Sequence, residues 1–406
     1  MSLLDRLTDP ATWEEYYSYK ASLCCPKSDL SLLRDYIDQK KYLLPALSAQ
    51  DGKPFPHPRK SVISKLSSSK KRTVYTYPDD ENRMLKLLTF LLLRKYDRLF
   101  SPSLYSFRPA KNAKDAVRYL RGRKIAKTGY FYKADIHDYF NSVPVELLLP
   151  MLRTALEDDP DLFGFLSSLL CDPYVIDKGQ TVSERKGIMA GTPVSAFFAN
   201  LFLSDLDREI SGNGILYARY SDDVILFTES EEKTAEYAEL IRKRLSEKGL
   251  EMNPAKESFG RASDGFVFLG FLITPDKTDV APATLVKLKH KMRRKANALH
   301  RWQEKTGADG DRAAAAFIRV FNRKLLESPE DNELSWSYWF FSVITTDESL
   351  HKIDLYAQDC IRFIASGKHT KKRFDLRYED MKKLGYRSLV HEYYRQTRPD
   401  GEKTPD

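Results

Sequence analysis

The sequence contains few cysteines and no long apolar run, and both deficits narrow the class of protein. Its four cysteines, Cys24, Cys25, Cys171 and Cys360, are spaced neither as a disulfide framework nor as a CxxC metal site. The longest apolar stretches, such as LLTFLLL at 87–93, are far shorter than a membrane span. The amino terminus carries acids and a proline where a signal peptide needs an apolar run. We therefore expect a soluble cytoplasmic protein with reduced thiols and no membrane partner.

The composition provides enough core-forming residues for a folded protein. Hydrophobic residues make up 42% of the chain and aromatic residues 12%, which excludes wholesale disorder. The 66 Lys and Arg residues exceed the 57 Asp and Glu residues, so the formal net charge is +9. Such a surplus hints at a polyanionic partner. A length of 406 residues allows two or three domains.

The pattern along the chain changes in character several times. Apolar residues at helical spacing between 11 and 46 predict two helices, and the Pro-, Ser- and Lys-rich stretch 51–72 predicts a loop or linker. Strand, helix and hairpin signals then alternate to about residue 275, and a mainly helical region follows. We predict an N-terminal helical extension and linker over 1–70, a mixed domain over 71–280, a helical region over 281–395 and a disordered tail over 396–406.

Acidic residues end or join the predicted strands in the middle of the chain. GYFYKADIHDYF predicts a strand that ends at Asp135, and ILYARYSDDVILF predicts two apolar strands with Asp222 and Asp223 in the turn between them. Together the three acids suit a two-metal site, and Mg²⁺ fits best because it prefers hard oxygen ligands and keeps some of its waters. Solvated hairpin turns also carry Asp pairs that do no chemistry, so the pair by itself leaves both interpretations open.

Strand alternation divides the side chains of this hairpin between two faces. It predicts Arg219 and Asp223 on one face, with Tyr220 and Asp222 on the other. Strands buried against helices would hold the acids together against their mutual repulsion only if cations occupied the site.

Seven segments between about residues 70 and 275 follow one another in a specific order. They are YPDDENRMLKLLTFLLL, LYSFRPAKNAKDAV, KADIHDYF, GIMAGTPVSAFFANLFLSDLD, RYSDDVILF, GLEMNPAKESF and FVFLGFLI. In this order they resemble the fingers blocks and palm motifs of bacterial reverse transcriptases, the lineage of group II intron, retron and defence-associated enzymes. Each motif is weak alone, but their joint order is highly specific. The resemblance implies an α+β right-hand polymerase with fingers, a palm of antiparallel sheet plus helices, and a helical thumb.

The resemblance implies a catalytic role for the three acids. Asp135 and Asp222 would ligate two Mg²⁺ ions, with Asp223 as the more peripheral acid and Ile136 among the metal-binding positions. The ions would activate a primer 3′-hydroxyl for in-line attack on the α-phosphate of a nucleotide. Lys256 matches the position proposed to protonate the departing pyrophosphate, although a lysine in this loop could equally be a surface residue.

Further positions would contact the incoming nucleotide. Arg72, Arg83 and Arg108 lie in the fingers region, and Arg72 and Arg108 form the preferred pair for the triphosphate. A basic loop is also commonly just a solvated face. Phe140 lies five residues after Asp135, where the family places an aromatic residue that blocks a ribose 2′-hydroxyl, which implies deoxynucleotides. A core aromatic residue would have the same spacing.

The second palm motif departs from the family pattern at one position. Ala190 precedes Gly191 where the family usually carries a glutamine that contacts the incoming nucleotide. Its replacement puts the usual sugar or template contact in doubt. Altered substrate handling, such as short repeated templates or template-free addition, would fit this difference.

Two segments beyond the Tyr-x-Asp-Asp motif would contact primer and duplex. Phe268, Leu269 and Gly270 match the hairpin that grips the primer end, although an apolar hairpin is also ordinary core. A helix at 283–302 carries a dense set of cations around an apolar stripe, which suits phosphate contacts along a nucleic-acid duplex. A solvated basic face is the alternative for this helix.

These observations predict an RNA-directed DNA polymerase that uses an RNA template and dNTPs and makes DNA. Compactness, Ala190 and the lack of an HNH-like Cys and His set after the helical region favour antiphage defence with a dedicated noncoding RNA. The alternatives are a template-independent or protein-primed DNA-synthesising nucleotidyltransferase, a retron reverse transcriptase, and an RNA-binding scaffold with a vestigial palm. The intact set of Asp135, Asp222 and Asp223 speaks against the scaffold. A homo-oligomer or an accessory protein is compatible with the sequence.

Overall fold

The computed structural model describes residues 2–23, 25–64, 71–327, 335–367 and 374–397. Contacts divide the chain into two compact units, of which the first comprises Met1–Ser22 and Ser28–Asp264. The second comprises Leu23–Lys27 and Gly265–Asp406. Among the described helices, none combines the length and the apolar character that crossing a membrane requires.

The first unit mixes helices and strands along the chain. Its helices are α1 Pro10–Ser22, α2 Lys27–Asp38, α3 Leu43–Gln50, α4 Asp79–Lys95, α5 Ala113–Arg121, α6 Ile125–Thr128, α7 Tyr139–Ser142, α8 Val145–Ala155, α9 Pro160–Cys171, α10 Ser195–Phe202, α11 Ser204–Gly212 and α12 Glu231–Glu247. Its strands are β1 Arg59–Ser64, β2 Lys71–Thr76, β3 Tyr130–Asp135, β4 Tyr174–Asp177, β5 Gln180–Ser183, β6 Leu216–Tyr220, β7 Asp223–Thr228 and β8 Ser258–Arg261.

The amino-terminal helices pack around a buried tryptophan. The Trp13 indole stacks on Tyr42 with ring centroids 4.9 Å apart, and its Nε1 donates to the Leu7 carbonyl over 2.8 Å. The tryptophan therefore contributes apolar area to the core while its one polar group is satisfied. The two predicted helices correspond to α1 and α2, and α3 follows them as a third.

The stretch predicted as a loop over 51–72 contains a strand, so that interpretation is wrong for β1. β1 pairs antiparallel with β2, and Arg59 also pairs with Ile176 of β4, which gives a sheet of order β2-β1-β4-β5. Val62 and Ile63 of β1 are 56% and 49% exposed. Backbone pairing rather than apolar burial thus holds β1, and alternation in a sequence cannot reveal such a strand. Residues 65–70 of the predicted linker lie outside the described residues.

A second four-stranded sheet, which we call the palm sheet, has the order β6-β7-β3-β8 and is antiparallel throughout. Directly opposed residues of an antiparallel pair share a face. One face of the sheet joins the main hydrophobic core through Tyr132, Ala134, Tyr217, Val224 and Leu226. The antiparallel sheet packed with helices confirms the predicted α+β class. Because this face is buried, the ends of β3 and β7 are held in place.

The second unit begins with a small antiparallel sheet and continues as helices. The strands are β9 Phe266–Phe268, β10 Phe271–Ile273 and β11 Thr278–Val280, in the order β11-β10-β9. The helices are α13 Pro282–Thr306, α14 Gly310–Leu325, α15 Trp336–Phe340, α16 Glu348–Ser366, α17 Tyr378–Lys383 and α18 Leu389–Thr397. Helices α13, α14 and α16 pack on one another.

Buried polar groups hold the end of this helical region together. Asp354 of α16 accepts hydrogen bonds from the Tyr386 and Ser388 hydroxyls and from the backbone N–H groups of Leu389 and Val390. The predicted tail at 396–406 lies outside the described residues from 398 onward. The division into fingers, palm and thumb at residues 71, 281 and 396 stays a prediction.

Candidate active site

A tight hairpin of the palm sheet carries two of the predicted acids. β6 and β7 are joined by the two-residue turn Ser221–Asp222, with Tyr220 and Asp223 paired across it. Ser221 has a φ of 58°, in the left-handed region that two-residue hairpins use and that residues other than glycine adopt rarely. The turn therefore needs support from its surroundings.

The register of the palm sheet brings the third acid to the same place. Asp135 ends β3 directly opposite Asp223, and the backbone N–H of Ile136 donates to the Asp222 carbonyl over 3.1 Å. Asp135, Asp222 and Asp223 each offer a carboxylate oxygen, and these atoms lie within 4.8 Å of one another. Asp135 is buried and the other two acids are half-buried. The structure thus brings together the acids that the sequence analysis singled out.

The alternation predicted across the hairpin is wrong. Tyr220 and Asp223 oppose each other and so share a face, while Arg219 opposes Val224 on the other face. Strict alternation counts the two turn residues as if they belonged to a strand. Because they do not, Arg219 and Asp223 fall on opposite faces of the sheet.

The charges of Asp222 and Asp223 are destabilised by burial and by the neighbouring acids. Burial raises the pKa of Asp222, and the charge of Asp135 raises it too. The charges of Lys256 and Arg72 lower it, but the pKa stays above its ordinary value. Burial is also the main reason that the pKa of Asp223 is raised to about 6. The charge of Lys133 acts to lower this pKa, and the charges of the other two acids act to raise it. A hard divalent cation would offset this repulsion and match a donor set made of carboxylate oxygens. The residues present therefore fit the Mg²⁺ that the resemblance implies.

Asp135 also has protein partners from the loop before β8. The Lys256 Nζ lies 2.5 Å from Asp135 Oδ2, and Asn253 Nδ2 donates to Oδ1 over 3.2 Å. Burial lowers the pKa of Lys256, but the bond to Asp135 and the charges of the other acids raise it above the usual value overall. The structure therefore places Lys256 in the acid cluster as an ammonium group.

Of the three arginines predicted to contact a triphosphate, Arg72 is the one whose charge lowers the pKa of an acid of the cluster. It is exposed on β2, and its positive charge acts on Asp222. Arg83 instead lies over the ring of Tyr36, 5.5 Å from the centroid.

Arg108 is engaged in holding its own loop. Its guanidinium makes two 2.7 Å hydrogen bonds to the Asp97 carboxylate and further bonds to the carbonyls of Ser101, Leu104 and Asp97. The side chain is only 8% exposed. All five N–H groups of the guanidinium thus have partners within the protein, and its role at the triphosphate stays a prediction.

Phe140 lies on α7, five residues after Asp135. Its half-buried ring packs edge-on against Phe107 with centroids 6.3 Å apart, and Phe107 in turn lies 6.5 Å from the ring of Tyr220. The Phe140 carbonyl accepts from the Ile188 N–H over 2.9 Å. A Cβ at Gly187 would fall 2.4 Å from that carbonyl oxygen, so the motif loop can reach Phe140 only with glycine there.

The second palm motif contacts β2 through its backbone. The Ala190 carbonyl accepts from the Tyr75 N–H over 2.7 Å, and the Ala190 side chain is buried. Gly191 has a φ of 103°, and a Cβ there would meet the Tyr75 carbonyl at 3.0 Å. This close approach ties the strand that carries Arg72 to the motif loop.

The predicted primer-grip segment is a hairpin of the second unit. Leu269 and Gly270 form its two-residue turn with φ values of 50° and 87°. Phe268 is fully buried and pairs with Phe271. This burial supports the core interpretation for Phe268, and the primer contact of the segment stays a prediction.

Two residues of the site were missed by the sequence analysis. Lys133 precedes Asp135 by two positions on β3, so period-two alternation would have placed both on one face. Asn253 lies three residues before Lys256 in the same motif, and its amide group was the available signal.

Comparison with known proteins adds a family to this geometry. Residues 60–273, more than half of the chain, match the family model described as reverse transcriptase (RNA-dependent DNA polymerase). The chain is similar to the Retron Ec83 reverse transcriptase of Escherichia coli, with 29% identity over 119 residues, 28% of this chain and 37% of that protein. It is also similar to an uncharacterized 91 kDa protein in cob intron of Schizosaccharomyces pombe, with 26% identity over 156 residues, 37% of this chain and 18% of that protein. The matches thus span less than half the length of either relative.

Solved structures with a similar chain path include two telomerases. One is telomerase from Candida albicans in complex with a TWJ fragment of telomeric RNA, with a TM-score of 0.47, 11% identity, and coverage of 86% of this chain and 67% of that chain. The other is apo telomerase from Candida tropicalis, with a TM-score of 0.47, 11% identity, and coverage of 84% and 63%.

The raised pKa of Asp223 predicts that Asp223→Asn stabilises the metal-free protein. A folded-state pKa of about 6 lies above the ordinary aspartate value, so the folded state loses stability as pH rises through this range. In EDTA at pH 8 we expect the free energy of unfolding to rise by about 1–3 kcal/mol, and at pH 4 we expect the gain to vanish. Urea unfolding at both pH values measures it.

Asp264→Asn is the matched control, because Asp264 is exposed and its substitution removes the same charge. Its effect should stay within about 0.5 kcal/mol at both pH values. Equal stability of Asp223→Asn and wild type at pH 8 would contradict the raised pKa of Asp223.

Proposed function

The chain belongs to the reverse transcriptase (RNA-dependent DNA polymerase) family, and from that premise we propose that it copies RNA into DNA by adding dNTPs to a 3′-hydroxyl. The observation that carries the proposal is the meeting of Asp135, Asp222 and Asp223 within 4.8 Å, inside the segment that matches the family. Carboxylates assembled at the end of a buried sheet lower the stability of the fold. A role in metal-assisted nucleotidyl transfer would explain why the chain places them together.

Asp135, Asp222 and Asp223, with Ile136 beside them, would hold two Mg²⁺ ions, which supply charge stabilisation for attack of the 3′-hydroxyl on the α-phosphate. Lys256 is held beside Asp135 as an ammonium group and could give its proton to the departing pyrophosphate. Arg72 of β2, whose charge lowers the pKa of Asp222, is our candidate for the triphosphate.

We propose that Phe140 selects deoxynucleotides by blocking a ribose 2′-hydroxyl. Its half-buried position next to Phe107, which lies in turn near Tyr220, supports this assignment. Partial packing against the core is compatible with the same role, because a gate must be held rigidly.

For the partners, we propose an RNA template bound partly by helix α13. Its cations Lys287, Lys291, Arg293, Arg294 and Arg301 are exposed, while Met292 and Ala296 are buried. A basic surface of this kind supplies phosphate contacts without reading sequence.

We propose antiphage defence with a dedicated noncoding RNA as the biological setting. The likeness to the Retron Ec83 reverse transcriptase favours a retron enzyme as another form of the same activity. Ala190, buried where the family usually has glutamine, keeps a template-independent or protein-primed synthesis as the rival activity.

Asp222→Ala should abolish DNA synthesis. Purified protein with its co-purifying RNA, given labelled dNTPs and Mg²⁺, should make DNA, and the variant should make about a thousandfold less, since the change removes about 4 kcal/mol of transition-state stabilisation. Asp264→Ala serves as the control that keeps wild-type yield.

Variant product equal to wild type would refute the metal assignment. No product from wild type with its native RNA would count against polymerisation itself. Wild-type synthesis that survives complete removal of RNA by RNase would favour the template-independent rival.

Phe140→Ala should admit ribonucleotides. We expect the preference for dATP over ATP to fall about 10-fold or more, because the ring would no longer exclude the extra hydroxyl. Competition assays with both nucleotides measure the preference. Phe163→Ala, which removes a half-buried phenylalanine of α9, is the control, and unchanged discrimination in Phe140→Ala would return Phe140 to a core role.

Lys287→Gln with Lys291→Gln should weaken nucleic-acid binding uniformly across sequences. The slope of log affinity against log salt should become shallower by about 2, one for each lost phosphate contact. Fluorescence anisotropy with an RNA–DNA duplex measures the slope. The control removes two exposed lysines elsewhere, Lys41→Gln with Lys243→Gln, and equal slopes in both double variants would leave α13 a solvated face.

A further inference from the structure

Three backbone groups of the turn that carries Asp222 are bound by partners outside it. The Ser221 N–H donates to Ser106 Oγ over 2.9 Å, and the Ser221 carbonyl accepts from Arg219 Nη1 over 3.1 Å. The Asp222 carbonyl accepts from the Ile136 N–H over 3.1 Å. The turn is therefore held by the Ser106 and Arg219 side chains and by the residue that follows β3.

Arg219 is itself held by a fully buried ion pair. Its Nε and Nη2 donate to the Asp207 carboxylate over 2.7 and 2.6 Å, and both side chains are 0% exposed. The Tyr217 hydroxyl donates to the same carboxylate over 2.9 Å, and Nη2 also donates to the Asn200 carbonyl over 3.2 Å. A bidentate arginine–carboxylate pair fixes the guanidinium plane as well as its position.

Ser106 is oriented by Asn200 of α10. Its hydroxyl donates to Asn200 Oδ1 over 3.1 Å, and Asn200 Nδ2 returns a hydrogen bond to the Ser106 carbonyl over 2.9 Å. Both side chains are fully buried. With its proton given to Asn200, the hydroxyl oxygen is left as a directed acceptor for the Ser221 N–H.

Stability alone is a poor explanation for this network. A buried ion pair is often no more stabilising than apolar residues of the same volume. What the network does specify is Ser221 at a φ of 58°, a backbone conformation that persists only when its surroundings over-determine it. That conformation decides where the Asp222 carboxylate lies.

We propose that Ser106, Arg219 and Asp207 are positioning residues for polymerisation. They hold the Ser221–Asp222 turn so that the Asp222 carboxylate stands beside Asp135 and Asp223 before a cation binds. The inference rests on the proposed function, because it assigns these residues to metal binding by the same three acids. Loss of the network lowers the fraction of molecules with the turn in its binding-competent conformation, and apparent metal affinity falls by that fraction.

Ser106→Ala tests the proposal with the smallest change. It removes the acceptor for the Ser221 N–H and keeps the Asp207–Arg219 pair. In an Mn²⁺ titration of the protein without nucleic acid, followed by electron paramagnetic resonance of free Mn²⁺, we expect the binding midpoint to rise about 5- to 10-fold. The Mg²⁺ concentration for half-maximal DNA synthesis should rise in parallel.

Ser101→Ala is the matched control. Ser101 is also buried in the same segment, and its hydroxyl accepts a backbone N–H from Ser103 and bonds to the Ser211 hydroxyl. The Mn²⁺ midpoint of this variant should stay within about 2-fold of wild type. An equal midpoint shift in Ser101→Ala and Ser106→Ala, with both proteins folded by circular dichroism, would overturn the proposal.

Ser221→Gly separates positioning from a general loss of packing. Glycine adopts a positive φ without steric cost, so it depends less on the network. Added to Ser106→Ala, it should recover at least half of the lost Mn²⁺ affinity, and no recovery would overturn the proposal.

The two proposals can fail independently. Wild type that binds Mn²⁺ and shows the Ser106→Ala shift but makes no DNA from RNA would sink the polymerase proposal alone. Wild type that polymerises while Ser106→Ala binds Mn²⁺ like wild type would sink the positioning proposal alone.

Discussion

Three carboxylates held within 4.8 Å of one another are the constraint on which this molecule depends. Two like charges about 4–5 Å apart repel by about 3–4 kcal/mol at an effective dielectric constant of about 20. Burial adds to the repulsion and raises the pKa values of Asp222 and Asp223. A chain free to relax would separate these groups. The palm sheet prevents this, because backbone pairing of β3 with β7 fixes Asp135 opposite Asp223.

The residues around the acids fall into two groups, one that holds the hairpin in place and one that brings positive charge near the acids. On the face of the palm sheet that joins the main hydrophobic core, apolar side chains and the Asp207–Arg219 pair hold the hairpin in place. Near the acids, Lys256 and Arg72 bring positive charge that opposes the raised pKa of Asp222. The link from Tyr75 to Ala190 ties the strand of Arg72 to the second palm motif. Structural cations and candidate functional cations thus occupy different environments, and burial tells them apart.

The sequence predicted the acids and their strands well because those features are local. Runs of aromatic and apolar residues mark β3, β6 and β7, and Asp135, Asp222 and Asp223 lie where these runs begin or end. Prediction from the sequence failed where the structure of a segment depends on a partner that is distant along the chain. β1 is a strand because β2 and β4 pair with it, not because of its own pattern. Arg108 bears the same charge as Arg72, and only the fold shows that Asp97 engages it.

The same limit explains why the network under the turn was missed. Asp207 and Arg219 lie on a helix and a strand, and neither motif order nor periodicity indicates that they meet.

The central claim is that the acid cluster copies RNA into DNA. Sequencing the nucleic acids that are bound to and synthesised by the protein in its host tests this claim most directly. The account predicts DNA whose sequence is complementary to a bound RNA. DNA unrelated to any bound RNA, or no DNA at all, would contradict it.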